Sequence, residues 1–90
     1  MDKTVGIVGL GTMGGAIARN LIDRDWRVIG FDIDAARRSE LALAGVTIAD
    51  DVRQLAGEAP IIMTSLPDPA AVEDVAQAIA SSDQSRRIVI

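Results

Sequence analysis

The chain has 90 residues, 49% hydrophobic and 2% aromatic, with a formal net charge of −4 and a pI near 4.5. That length supports one small domain with a core of Ala, Val, Ile and Leu, and the acidic balance argues against a nucleic-acid groove, which needs clustered Lys and Arg. With no cysteine, neither a disulfide framework nor a thiol nucleophile is available, and without a signal-like leader or a membrane-length apolar run the expected setting is cytoplasmic with no membrane partner.

From Thr4 to Gly9 nearly every position is apolar, which predicts a central strand covered by helices on both faces. Gly9-Leu10-Gly11-Thr12-Met13-Gly14 follows and opens a helix over residues 11–24, with Ile17, Leu21 and Ile22 on one stripe. Each glycine has a physical task. Gly9 permits the tight turn, Gly11 lets the backbone approach a pyrophosphate, and Gly14 lets helix pack closely on strand. The N–H groups at the helix start then face the phosphates and the helix dipole favours their charge, so no basic residue is required.

Arg27 to Asp32 reads as the second strand, and Asp32 falls about twenty residues beyond the glycine turn, where an acid receives the adenosine ribose hydroxyls of a dinucleotide. The same charge repels the 2′-phosphate of NADP, so NAD is the expected cofactor. The alternative reading of Asp32 is a turn carboxylate capping local backbone. Asp34 is the better N-cap for the helix over 35–44, which leaves Asp32 free. Arg37 and Arg38 either line a solvated helix face or turn inward toward a 2′-phosphate, the first being favoured.

Gly45 stops the second helix, Val46-Thr47-Ile48 predicts a short edge strand, and Asp50 or Asp51 caps a helix over 52–56 ended by Gly57. Pro60 fits only the start of the fourth strand, Ile61 to Ser65. Leu66-Pro67-Asp68-Pro69 leaves that strand stiffly toward a helix over 70–80. A polar loop at 81–85 leads into a fifth strand over 86–90. The pattern is α/β: a Rossmann-type doubly wound parallel sheet of about five strands in three α/β/α layers.

Gly9-Leu10-Gly11-Thr12-Met13-Gly14, Ala18, Asn20-Leu21 and Ser65-Leu66-Pro67 together resemble the cofactor domain of the β-hydroxyacid dehydrogenases, the group of 3-hydroxyisobutyrate and 6-phosphogluconate dehydrogenases. The resemblance covers essentially the whole chain. It implies that Leu66 and Pro67 pack against the cofactor near the nicotinamide-side ribose with Ser65 close by; a rigid strand-to-helix connection is the other reading of that segment. Leu10, Thr12 and Met13 within the turn, and Ile33 beside Asp32, complete the expected cofactor contacts. The chain departs from the family at Asp25, where glycine is usual.

The resemblance implies that the family's catalytic lysine, its asparagine and its substrate-carboxylate motif fall beyond residue 90, so no catalytic residue is expected within residues 1–90, and with neither His nor Cys no zinc cluster is expected either. The sequence therefore reads as a dinucleotide-binding domain truncated before a catalytic helical domain, inactive alone, whose parent is an oxidoreductase acting on the CH–OH group of a small hydroxy acid. A stand-alone, non-catalytic nucleotide-binding module is the alternative. Imine and pyrroline-carboxylate reductases share similar glycine turns but tend to carry a basic or neutral residue where this chain has Asp32. Ending on an apolar strand leaves a sticky edge, so self-association into a homo-oligomer is expected.

Overall fold

A computed structural model of the chain describes residues 3–65 and 87–89. Strand β1 (Thr4–Val8) is buried at all five positions, as its unbroken apolar run requires. It is followed by α1 (Thr12–Asp23), β2 (Arg27–Phe31), α2 (Ala35–Leu43) and β3 (Thr47–Ile48). Then come α3 (Val52–Glu58), β4 (Ile61–Thr64) and β5 (Arg87–Val89). The five strands lie in the order β3-β2-β1-β4-β5 and every pairing is parallel. The doubly wound sheet expected from the pattern is therefore present. The expected helix over 70–80 falls outside the described residues, as do Leu66 and Pro67.

The chain winds outward from β1 to β3 and then crosses back to β4, so the direction of winding reverses between β1 and β4. Alternate residues of the same strands feed two cores. Val5, Ile7 and Val28 pack with Leu10, Ala18, Leu41 and Val46 on the face of α1 and α2. Val8, Ile29 and Ile62 pack with Leu55, Ala56 and Ala59 on the face of α3. The small residues of β1 and β2 are what allow this closeness: a Cβ on Gly6 would stand 2.5 Å from the Leu55 side chain.

Two helix ends are closed in the same way by different residues. After α2, Gly45 N–H donates to Ala42 O and Val46 N–H to Leu41 O, with Gly45 at φ 106. After α1, Asp25 N–H donates to Ile22 O and Trp26 N–H to Leu21 O, with Asp25 at φ 66. Both are Schellman closures, which place the C′ residue in the left-handed region. Glycine enters that region without cost, whereas an L side chain crowds its own carbonyl. Asp25→Gly is therefore expected to stabilise the domain by about 1 kcal/mol, and an unchanged or lower melting temperature would contradict this.

One boundary differs from expectation. Helix α3 runs through Gly57 to Glu58 instead of stopping at Ala56. Ala59 ends it, in the extended conformation at φ −112 and ψ 126, because the residue before a proline is kept out of the helical region by the ring of Pro60. At the other end, Asp51 is the cap, its Oδ1 accepting from Gln54 N–H at 2.8 Å.

Candidate functional site

The C-terminal ends of β1, β2 and β4 converge on the glycine turn. Gly9 takes φ 98, and its N–H donates to Phe31 O at 2.9 Å, fixing the turn to the end of β2. Ser65 N–H donates to Val8 O at 2.8 Å, fixing the end of β4 on the other side. Gly14 sits against this turn so closely that a Cβ would lie 1.8 Å from Gly9 O and 3.3 Å from Ser65 Cβ. The tasks read for Gly9 and Gly14 are those the fold imposes.

Gly11 is different. It is the N-cap of α1, extended at φ −71 and ψ −158, and no side chain caps the helix. Among the described residues, a Cβ added there meets no atom within 4 Å, so neither packing nor backbone strain within them demands glycine. Open space over the glycine is what a ligand's close approach requires. The first intrahelical bond is Gly15 N–H to Gly11 O at 2.7 Å, so the N–H groups of Thr12, Met13 and Gly14 have no partner within the helix. No acidic residue stands in the first turn of α1. Small backbone donors at a helix N-terminus, open space above the cap glycine and no local negative charge suit a phosphate. These residues fit the pyrophosphate of a dinucleotide.

Asp32 is not free, as the sequence had suggested. Its Oδ2 accepts from Leu10 N–H at 2.7 Å and its Oδ1 from Asp34 N–H at 2.9 Å. Asp34 does cap α2, its Oδ1 accepting from Ala36 N–H at 2.8 Å. The carboxylate thus binds the glycine turn to the start of α2. An ionised carboxylate has about four acceptor positions, so two bonds leave capacity for ribose hydroxyls.

Arg38 also departs from the expected solvated face. Its Nη1 donates to the backbone carbonyl of Asp32 at 2.7 Å, and its guanidinium carbon lies 5.9 Å from the centre of the Phe31 ring. A planar, weakly hydrated cation folded over an aromatic face is a favourable arrangement. Of the other residues read as cofactor contacts, Met13 and Ile33 stand on the surface at 69% and 90% exposure, large apolar side chains left uncovered. Ser65 borders Gly14, and Leu10 is buried beneath the turn.

Thr64 was not singled out from sequence, although its period-two spacing from Ile62 places it on the buried α3 face. It is 8% exposed, and among the described residues its Oγ1 has no hydrogen-bond partner. A buried hydroxyl without a partner costs on the order of 1–3 kcal/mol. Thr64→Val, which keeps the shape and removes the hydroxyl, is expected to raise stability by about 1 kcal/mol in a thermal melt; a drop in the midpoint would show that the hydroxyl is satisfied in solution.

Among the described residues no group of His, Cys, Asp or Glu is placed to hold a metal ion. The one lysine, Lys3, precedes β1, and its carbonyl accepts from Arg27 N–H at 2.8 Å, which puts it at the edge of the sheet opposite the glycine turn.

Comparison with known proteins agrees with this geometry. Residues 4–90 match the family model of the NAD-binding domain of 6-phosphogluconate dehydrogenase. The probable mitochondrial 3-hydroxyisobutyrate dehydrogenase of Dictyostelium discoideum is 42% identical over 74 residues, covering 82% of this chain and 23% of that protein. The 2-(hydroxymethyl)glutarate dehydrogenase of Eubacterium barkeri is 34% identical over 77 residues, covering 83% and 26%. The solved 3-hydroxyisobutyrate dehydrogenase of Mycobacterium tuberculosis superposes with a TM-score of 0.88 at 27% identity, over 93% of this chain and 29% of that one. The chain thus spans about a quarter of the length of the curated relatives it matches.

Proposed function

This chain belongs to the family of the NAD-binding domain of 6-phosphogluconate dehydrogenase, an NAD(P)-binding domain of the hydroxyacid dehydrogenases, and from that premise we propose that it binds NAD in preference to NADP for oxidation of a small 3-hydroxy acid. The observation that carries the binding reading is the cradle at Gly11, where a glycine stands with open space above it and three helix-start N–H groups converge. The 3-hydroxy acid class is suggested by the compounds named for two relatives, 3-hydroxyisobutyrate and 2-(hydroxymethyl)glutarate.

In this reading Gly9, Gly11 and Gly14 shape the phosphate site, and the N–H groups of Thr12 and Met13 donate to it. The Asp32 carboxylate accepts from the adenosine ribose hydroxyls while still holding Leu10 N–H. Met13, Ile33 and Ser65, with Leu66 and Pro67 of the following segment, supply van der Waals contact. A bound nicotinamide supplies the hydride acceptor. Removing the hydroxyl proton needs a base; the chain has no His, Cys or Tyr, and Lys3 stands at the far edge of the sheet.

Asp32→Asn tests the ribose assignment. A charged acceptor contributes on the order of 1.5–3 kcal/mol per hydrogen bond, so NAD affinity in calorimetry is expected to fall by about tenfold or more. An affinity equal to wild type, in a variant whose circular dichroism shows it folded, would remove Asp32 from the site.

A further inference from the structure

We propose that Met13 is a peroxide-sensitive modification site, where oxidation of the thioether to the sulfoxide weakens dinucleotide binding and a bound dinucleotide in turn shields the sulfur. The inference rests on the dinucleotide reading above and adds to it a reaction of one of the chain's own side chains.

The chain has three methionines, and the fold treats the two within the described residues in opposite ways. Met63, in β4, sits partly buried against the core of Val5, Ile7 and Leu10. Met13 is 69% exposed. It stands in the first turn of α1, whose buried residues are Gly14, Gly15 and Ala18, so its side chain is left outside the face that packs on the sheet. An uncovered thioether is open to a small oxidant.

The reaction needs only a hydroperoxide. A lone pair of the Met13 sulfur attacks one peroxide oxygen, the S–O bond forms as the O–O bond breaks, and the sulfur gives up two electrons. With hydrogen peroxide, the departing hydroxide takes the proton left on the transferred oxygen and leaves as water. Methionine sulfoxide reductases return the thioether, so the change is reversible.

The position of Met13 gives the oxidation its consequence. The N–H groups of Thr12, Met13 and Gly14 have no partner within the helix, and among the described residues the space over Gly11 is open. The side chain therefore springs from the same turn that a phosphate enters. A thioether is a weak acceptor and otherwise an apolar surface. The sulfoxide is polar and chiral, and its oxygen brings partial negative charge to that turn. Apolar contact with the dinucleotide is lost and the phosphate oxygens are repelled.

The test treats the folded 90-residue chain with hydrogen peroxide, with and without saturating NAD, and follows each methionine by peptide mass mapping. Met13 is expected to oxidise several-fold faster than Met63, and NAD to slow it several-fold. In calorimetry, NAD affinity is expected to fall by about tenfold after oxidation and to return after treatment with the reductases for both sulfoxide epimers. Met13→Leu, compared with itself before and after peroxide, is expected to keep its own affinity, since Met1 and Met63 are its only remaining thioethers. Met13→Gln, polar without any oxidation, is a second variant and is expected to bind NAD more weakly than Met13→Leu. An oxidised wild type that binds NAD as before, an equal fall in peroxide-treated Met13→Leu, or bound NAD that leaves the rate at Met13 unchanged would overturn the proposal and leave the dinucleotide reading intact. A folded, untreated wild type that binds no dinucleotide would overturn both.

Discussion

Replacing Gly14 with alanine is expected to lower the unfolding free energy by about 3 kcal/mol or more. The new Cβ would stand 1.8 Å from Gly9 O and 3.0 Å from Gly9 C, and neither is the yielding tip of a side chain. Gly9 is held at φ 98 by its bond to Phe31 O, so relief requires α1 to lift from the turn or the turn to leave β2. Either movement opens the core around Ala18 and Leu10, both fully buried. A domain of this size has a stability of roughly 5–13 kcal/mol, so the loss is a large fraction of the whole. Urea unfolding followed by circular dichroism reads it directly. A midpoint within about 0.2 M of wild type, where urea slopes are about 1–3 kcal/mol per molar, would mean that the contact relaxes cheaply and that the glycine has another purpose.

Gly11→Ala is expected to do the reverse, leaving the fold and removing the ligand. The backbone at φ −71 and ψ −158 is open to alanine, and among the described residues nothing lies within 4 Å of its Cβ. The stability change should stay below about 1 kcal/mol, the ordinary range for a change at an N-cap. Dinucleotide affinity should fall by at least about tenfold, because a methyl group would occupy the space over the phosphate-binding N–H groups; that factor corresponds to about 1.4 kcal/mol. A Gly11→Ala protein that binds NAD like wild type would show that the cradle is not where phosphate sits. Taken together, the two glycines separate what the turn does for the fold from what it does for a ligand.

The parts of this structure that were readable from sequence are those set by neighbours in the chain. The buried run of β1 and the glycines at positions 9 and 14 follow from local steric needs. Asp25 drew notice through the family resemblance, which has glycine at that place. Gly57 misled because it resembles a helix stop, whereas the stop comes from Pro60 acting on Ala59. The engagement of Asp32 with Leu10 N–H joins residues 22 apart, and the return of Arg38 onto Phe31 and the Asp32 carbonyl depends on how α2 leaves β2. Such contacts are decided by where chain ends meet in space. The sequence put Asp32 at the end of β2 and Arg38 in the first turns of α2 but did not say what each would hold.

Calorimetric titration of the folded 90-residue chain with NAD, beside NADP and beside the Gly11→Ala variant, tests the central claim most directly. The account predicts saturable binding of one NAD per chain, tighter than NADP and weakened at least about tenfold by the added methyl. A wild-type chain that is folded by circular dichroism yet shows no binding of either dinucleotide at millimolar concentration would contradict it.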